Sequence, residues 1–280
     1  MQATDGGLIF LAATTLSKSV RIALFSDIHG NSIALDAVLA DIQASGGVDE
    51  YWILGDLCAI GHDPVGVLEQ VARLPNARFV RGNTDRYTVT GALPNPTFAE
   101  VAKDTNLIPK FAEVAQSFAW TQGAVASAGW LPWLEGLPLE QRISLPDGTR
   151  ILLVHASPGN DDDERIWPNR TDAELQSVLA QSEADVVCVG HTHWVMDRTV
   201  KDIRLINPGS ISNPVSSDLR AKYALITADE SGHDFVFRQV EYDRGAAIEA
   251  VKRSRHPAAD YIIRFITGQV TPPWERTQTP

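Results

Sequence analysis

The chain has 280 residues, of which 44% are hydrophobic, enough apolar material for one large domain with a sizeable core. Its formal net charge of −11 argues against a nucleic acid as the main partner, because such a partner requires a basic face that releases counterions. Two cysteines, Cys58 and Cys188, exclude a disulfide framework and a zinc-knuckle spacing. We therefore expect a cytoplasmic protein.

A short apolar stretch, residues 8–13, precedes the first predicted strand. It is too short to span a bilayer, follows no basic region and precedes no clear cleavage site. No other segment approaches membrane-spanning length, so no membrane partner is expected. Residues 1–19 are predicted to form an N-terminal arm rather than a targeting signal.

The next part of the chain alternates strands and helices. Apolar runs at residues 20–26, 51–54 and 77–80 predict buried strands. Apolar residues at helical spacing predict helices over residues 32–44 and 64–73. This order of strand, loop and helix is typical of a parallel sheet, whose loops meet at the carboxyl ends of the strands.

Residues 84–139 differ in character, because they are rich in alanine and show helical periodicity near residues 111–119. We predict a helical insertion or cap there, with its three tryptophans in the core. Strands resume in a hairpin around Pro146-Asp-Gly148, and a series of short strands and a last helix follow. The main domain is expected to span residues 20–255, with a C-terminal tail over residues 256–280.

Five short polar motifs directly follow predicted strands. They are Asp27-Ile-His29, Gly55-Asp56, Gly82-Asn83, Val154-His155 and Gly190-His191-Thr-His193. Each motif alone is an ordinary turn or a satisfied surface histidine. Together they place carboxylate, carboxamide and imidazole groups where the loops of the sheet meet, which favours one convergent metal site.

In this order the motifs resemble those of the calcineurin-like metallophosphoesterase superfamily, in particular its small bacterial and archaeal phosphodiesterase-like branch. The matching motifs span residues 27–193. The resemblance implies an α/β fold of mixed α+β character, a four-layer αββα sandwich of two mixed β-sheets with a helical insertion. It also implies a dinuclear metal centre on the loops of this sandwich.

The same resemblance implies a ligand assignment. Two triads of side chains would each hold one divalent ion, and one carboxylate would bridge both ions. The first triad is Asp27, His29 and His193, the second is Asn83, His155 and His191, and the bridging residue is Asp56. Asp56 and Asn83 would thereby also belong to the catalytic set.

These ligand types fit a phosphoesterase. Mixed oxygen and nitrogen ligands suit Mn²⁺, with Fe²⁺, Zn²⁺ or Ni²⁺ as alternatives, better than Mg²⁺, which prefers oxygen and retained water. A bridging carboxylate holds two ions about 3.5–4 Å apart, and a water shared by both loses a proton near neutral pH and attacks phosphorus in line. The two cations reverse the local negative field and attract a small phosphorylated substrate. We therefore predict a metal-dependent hydrolase of phosphodiesters or phosphomonoesters.

One position departs from the family pattern. Many relatives have Gly-Asn-His followed by Asp or Glu, and that histidine is thought to protonate the leaving group and contact the phosphate. Here the stretch is Gly82-Asn83-Thr84-Asp85. A threonine hydroxyl has no useful proton at pH 7, so Thr84 remains a candidate for substrate binding rather than for acid catalysis. Asp85 either orients a neighbouring group or caps a helix.

Other candidates rest on single residues. His62, on the loop after the bridging carboxylate, faces substrate in a catalytic interpretation and solvent in a structural one. Arg165 and Arg220 either bind a phosphate through two hydrogen bonds or pair with nearby carboxylates. His233 and His256 have no motif around them and are predicted to lie at the surface.

Two other functions stay open at this point. A non-catalytic scaffold on the same fold, as in the retromer scaffold subunit, would be expected to have lost metal ligands, whereas this chain keeps the whole set. A nuclease is disfavoured by the acidic balance, although a local basic groove is compatible with the sequence.

Overall fold

A computed structural model describes residues 19–275, so the predicted N-terminal arm, with its apolar stretch at residues 8–13, lies outside the described residues apart from Ser19. Ten strands form two five-stranded sheets within this range. In chain order they are β1 Val20–Phe25, β2 Glu50–Ile53, β3 Ala77–Phe79, β4 Glu140–Ser144, β5 Arg150–Val154, β6 Val186–Cys188, β7 Met196–Val200, β8 Ile203–Asn207, β9 Ala221–Asp229 and β10 Gly232–Val240.

Nine α-helices accompany these strands in the described residues. They are α1 Ser32–Ala44, α2 Pro64–Val71, α3 Asn83–Thr90, α4 Phe98–Lys103, α5 Ile108–Ser127, α6 Leu131–Glu135, α7 Asp172–Leu179, α8 Arg244–Ser254 and α9 Ala259–Ile266. Residues Thr105–Leu107 and Pro273–Glu275 form short 3-10 helices. None of the helices between residues 19 and 275 combines the length and apolarity needed to cross a membrane.

Both sheets are mixed. The first has the order β10-β9-β1-β2-β3, in which β1, β2 and β3 are parallel and β9 and β10 are antiparallel to their neighbours. The second has the order β4-β5-β6-β8-β7, in which β5, β6 and β8 are parallel. The predicted hairpin around residues 146–148 joins β4 to β5. Parallel strands in each sheet therefore send their following loops to one edge.

Strand β1 shows how the layers form. Ile22 and Leu24 pack between the two sheets, whereas Ala23 and Phe25 face the layer that contains α1 and α2. Because both faces of β1 are buried from Ile22 onward, residues 22–25 form a continuous apolar run rather than an alternating pattern. On the far side of the second sheet, Leu175 of α7 packs in a third apolar cluster. These layers confirm the predicted αββα sandwich.

The predicted helical insertion is helical, since α3 begins at Asn83 and α4, α5 and α6 follow. It packs on the first sheet's helical layer, where Val125 and Leu134 join the core cluster. Trp130 and Trp133 pack against that cluster, as predicted, whereas the third tryptophan, Trp120, is half-buried and packs on His256 instead.

The segment from residue 256 contains structure that the sequence analysis did not predict. Helix α9 packs through Ile262 and Ile266 against Val251 of α8. Its first turn has no side-chain cap, so its stability comes from packing rather than from local signals. The prediction that His256 lies at the surface is wrong, because its side chain is buried and its ring centroid lies 4.6 Å from that of Trp120. His233 is partly buried and lies 2.7 Å from Asp147.

Candidate metal centre

The predicted ligands come together at the junction of the two sheets. Asp27 and His29 follow β1, Asp56 follows β2 and Asn83 begins α3 after β3, all from the first sheet. From the second sheet, the remaining three ligands follow β5 and β6; they are His155, His191 and His193. The site therefore exists only when both sheets pack against each other.

The loops that carry these ligands have an unusual backbone. Five of the seven ligands have positive φ between 47° and 63°, which non-glycine residues rarely adopt; they are Asp27, His29, Asp56, His191 and His193. Hydrogen bonds between loops hold this conformation, since Asp27 N donates to Gly55 O at 3.1 Å and His29 N to Asp56 O at 3.0 Å. Such strained backbone persists where the surrounding structure overdetermines it, which is common at functional sites.

Glycines in two of the motifs allow the loops to approach each other closely. A Cβ atom on Gly82 would lie 2.3 Å from Asp56 N, and one on Gly190 would lie 2.0 Å from Ser26 Oγ. Neither position accepts a side chain without movement of the ligand-bearing loops. These glycines therefore allow the neighbouring ligands to be positioned, and they are not merely residues of surface turns.

A first cluster contains Asp27, His29, Asp56 and His193, whose ligand atoms all lie within 4.8 Å of one another. The Nδ1 atoms of His29 and His193 donate to backbone carbonyls, at 3.0 Å from Ala59 O and 2.6 Å from Asn213 O. Their Nε2 atoms therefore face each other, 3.1 Å apart. The buried Asp27 Oδ1 lies 3.3 Å from His193 Nε2 and accepts no hydrogen bond within the described structure. Electron pairs so arranged require a cation between them, either a proton or a metal ion.

A second cluster lies beside the first. Asn83 Oδ1 is 3.0 Å from His155 Nε2 and 3.1 Å from His191 Nδ1. Nδ1 of His155 donates to Leu54 O at 2.5 Å, which leaves Nε2 to face the carboxamide oxygen. This arrangement again fits a cation at the centre of the three side chains.

Asp56 connects the two clusters. Its Oδ1 lies 3.5 Å from His155 Nε2, whereas its Oδ2 lies 3.7 Å from His29 Nε2. Each carboxylate oxygen thus faces one cluster. The Oδ1 atom also accepts a hydrogen bond from the backbone nitrogen of Thr84 at 2.9 Å, which fixes the carboxylate plane.

Buried charges dominate the electrostatics of the site. Burial alone would lower the pKa of His155, but the Asp56 carboxylate outweighs it and raises that pKa to about 10. Burial and the neighbouring His155 charge lower the pKa of His191 to about 4. The pKa of Asp56 is held well below its usual range, because His155 and His29 outweigh the effect of burial. The pocket therefore keeps its carboxylate ionised and attracts cations.

Asp85 supports the loop that presents Asp56. Its carboxylate accepts hydrogen bonds at 2.9 Å from the backbone nitrogens of Asp56, Leu57 and Gly82. Burial and the Asp56 charge raise the pKa of Asp85 to about 7. Both predicted roles of this residue are therefore present, since it caps α3 and orients the neighbouring loop.

Thr84 lies against the metal centre, but its side chain makes no contact that serves acid catalysis. Its backbone nitrogen binds Asp56, and its hydroxyl is buried without a hydrogen-bond partner within the described structure. The Thr84 side chain is 4% exposed. Its assignment as a substrate-binding residue stays a prediction.

The other single-residue candidates contact neighbours outside the ligand set. His62 Nε2 lies 3.5 Å from Ser32 Oγ at the start of α1. Arg165 binds Asp163 at 2.6 Å and Ser157 at 2.7 Å, and Arg220 binds Asp218 at 2.7 Å. Both arginines thus pair with nearby carboxylates, which was the alternative to phosphate binding. Phosphate binding by these arginines stays a prediction, as does a catalytic role for His62.

A cavity of about 540 Å³ opens above the metal centre, with His191 and His193 in its wall. Further parts of its wall come from the loop after β5 and from the C-terminal segment, including Trp167, Phe265 and Trp274. No sequence signal marks these residues as part of a site, because aromatic spacing alone does not distinguish a cavity wall from a core.

A family model of the calcineurin-like phosphoesterase superfamily domain matches residues 20–231. The chain belongs to this superfamily. An uncharacterized protein of Methanocaldococcus jannaschii is 29% identical to it over 255 residues, which cover 84% of this chain and 93% of that relative. Membership and the buried Asp and His cluster support a metal-dependent phosphoesterase in general.

Solved structures agree with this assignment to the calcineurin-like superfamily. A metallophosphoesterase from Sphaerobacter thermophilus has a TM-score of 0.68 and 25% identity, covering 90% of this chain and 100% of that chain. A hypothetical protein from Pyrococcus horikoshii has a TM-score of 0.72 and 22% identity, covering 88% of this chain and 97% of that one, and supports the fold.

Proposed function

We propose that this calcineurin-like phosphoesterase hydrolyses small phosphodiesters or phosphomonoesters with two divalent cations, of which Mn²⁺ fits the ligands best. The observation that carries the proposal is the orientation of Asp56, whose two oxygens face two separate clusters of candidate ligand atoms. A structural carboxylate would have one set of donors, whereas a bridging ligand needs one oxygen for each ion.

The side chains of the two clusters fit two cations better than hydrogen bonds alone. Backbone carbonyls bind Nδ1 of His29, His155 and His193, which fixes the tautomer and points each Nε2 into the site. Two bound cations would supply an activated water at neutral pH and polarise the phosphoryl oxygens. The cavity above the ligands gives a phosphate access to them from one side.

The alternatives receive less support. A scaffold protein has no need for the candidate ligands, and their close contacts in two clusters support an enzyme instead. A nuclease requires cations along a groove, yet no lysine or arginine lies among the described residues that line the cavity. A small substrate with a single phosphate at the metal centre is therefore the better match.

Replacement of the bridging carboxylate tests the proposal. We expect Asp56→Ala to lose most bound Mn²⁺ and to reduce hydrolysis of bis(4-nitrophenyl) phosphate by more than about 100-fold, since even supporting residues of metal sites contribute 10–100-fold. Metal content is measured by plasma mass spectrometry after desalting. The exposed Asp202→Ala variant is the matched control and should keep both metal and activity. Two tightly held ions in folded Asp56→Ala protein would contradict the bridging assignment.

A further inference from the structure

The cavity above the metal centre has a wall of aromatic side chains. Trp274 lies on the 3-10 helix Pro273–Glu275, and Phe265 and Tyr261 lie on α9. Trp167, on the loop after β5, completes this aromatic wall, which we define by these four residues. The wall and the candidate ligands His191 and His193 line the same cavity. One substrate can therefore place its phosphate at the metal centre and a second group against the wall.

The four rings of the wall form two contacting pairs, Trp167 with Trp274 and Tyr261 with Phe265. The Trp274 ring centroid lies 6.0 Å from that of Trp167 and 5.9 Å from that of Trp194, at interplanar angles of 57° and 90°. Phe265 lies 5.2 Å from Tyr261 and 6.3 Å from the metal ligand His193. Apolar surface thus extends from a metal ligand to the outer part of the cavity.

The charges around the cavity restrict what can bind there. No lysine or arginine lines it among the described residues, whereas Asp162, Asp163 and Glu164 do. Two of these carboxylates are engaged, since Arg86 binds Asp162 at 3.2 Å and Arg165 binds Asp163 at 2.6 Å. Two further cations lie against the rings of the wall, Lys110 at 4.4 Å from the Tyr261 centroid and Arg170 at 5.6 Å from that of Trp167. A second anionic group on the substrate would meet the carboxylates of the lining.

We propose that the aromatic wall binds a flat, uncharged aromatic group esterified to the phosphate. Aromatic rings gain affinity from stacking and edge contacts beyond that of apolar burial alone. This inference rests on the proposed function, because the metal centre must hold the phosphate. It assigns to the C-terminal segment a role in substrate recognition.

Binding of phosphonates tests the inference without turnover, since their P–C bond resists hydrolysis. Titration calorimetry on the Mn²⁺-loaded protein compares phenylphosphonate with methylphosphonate. We expect the phenyl compound to bind about tenfold more tightly, in line with a single ring contact. Trp274→Ala should reduce this preference to about twofold or less, and Trp274→Phe should restore most of it. Phe98→Ala, which removes an aromatic ring that is 76% exposed, is the control and should keep the preference.

The possible outcomes separate this inference from the proposed function. Equal binding of the two phosphonates by the unaltered protein would overturn the aromatic wall as a binding site and leave the metal centre intact. No binding of either compound would overturn the phosphate centre, and the inference with it. If 4-carboxyphenylphosphonate bound more tightly than phenylphosphonate, the requirement for an uncharged group would be wrong.

Discussion

Individual hydrogen bonds determine which atoms of the metal centre are available as ligands. Backbone carbonyls bind Nδ1 of His29, His155 and His193, so that Nε2 of each points into the site. Asn83 adds a carboxamide oxygen, which cannot be protonated at neutral pH. The residue types follow from the sequence, whereas the choice of ring nitrogen follows from loop carbonyls that only the folded chain brings into place.

The threonine at position 84 has a kinetic consequence. Without an imidazole there, departure of a poor alkoxide lacks its proton donor, whereas an aryl oxide leaves without much help. We expect the rate of hydrolysis to rise steeply as the leaving group becomes more acidic. Thr84→His should accelerate alkyl esters more than aryl esters. The gain in rate should be at most about 10²–10⁴-fold, which is what general acid catalysis commonly contributes. The measurement is a series of esters with graded leaving groups at saturating metal.

The same series includes its own control. Thr90→His places an imidazole on the exposed end of α3 and should leave the leaving-group dependence unchanged. If the unaltered protein shows a flat dependence when chemistry limits the rate, another group must supply the proton. Because Thr84 is buried beside Asp56, metal content of the Thr84→His variant is measured as well.

Among the elements, α9 connects the C-terminal segment to the rest of the domain. His256, just before α9, packs its ring on Trp120 of α5, and its Nδ1 accepts a hydrogen bond from Ala258 N at 3.1 Å. Its Nε2 is buried without a hydrogen-bond partner within the described structure. The same helix carries Phe265 and Tyr261 of the aromatic wall. The packing of His256 on Trp120 therefore helps to position the helix that carries two residues of that wall.

Acid should destabilise the protein through His256. Burial lowers the pKa of His256 from 6.5 to about 4, so the unfolded state binds a proton between these values that the folded state does not. The corresponding stability is complete above pH 6.5 and is lost as the pH falls towards 4. We expect a loss on the order of 2 kcal/mol between pH 7.5 and 5.0 from this residue.

Urea unfolding at both pH values measures this loss. His256→Asn removes the titrating group. Between pH 7.5 and 5.0, the free energy of unfolding of this variant should therefore fall by less than that of the unaltered protein. Comparing the two proteins cancels the contributions of other carboxylates and histidines. If the free energy of unfolding fell equally in both proteins, protonation of His256 would carry no cost in the folded state, and the prediction would be wrong.

Across the whole molecule, the ligands come from both sheets. Asp27 and Asp56 belong to the first sheet's loops, and His155 and His193 belong to those of the second. The apolar cluster that includes Leu24 and Leu153 joins the same sheets behind the site. Metal binding therefore adds cross-links between the sheets at the edge where their loops meet.

Bound metal should consequently stabilise the entire domain. At a free Mn²⁺ concentration of 100 times Kd, each independent site adds about 2.7 kcal/mol to the free energy of unfolding, provided the unfolded chain does not bind. Thermal or urea unfolding with Mn²⁺ and with EDTA measures this difference. Asp202→Ala should show the same gain as the unaltered protein, and Asp56→Ala should lose most of it. An equal midpoint with and without metal would contradict a site shared by the two sheets.

Local patterns in the sequence determined much of this protein. The apolar run of β1 and the helical spacing of α1 depend on residues close in the chain, and the metal ligands follow such strands at recognisable motifs. The convergence of these motifs was therefore predictable, and their resemblance to the calcineurin-like superfamily implied the four-layer fold and the seven candidate ligands. Capping of α7 by Thr171 was predictable for the same reason, because its partner Glu174 is three residues away.

Contacts between distant residues were decided only by the tertiary structure. His256 is buried because Trp120, 136 positions earlier, packs against it, and no pattern around His256 encodes that contact. Trp167 and Trp274 meet above the metal centre although they lie more than a hundred residues apart. The sequence specifies polarity and local spacing, but which side chains share a cavity depends on how the two sheets and α9 pack together.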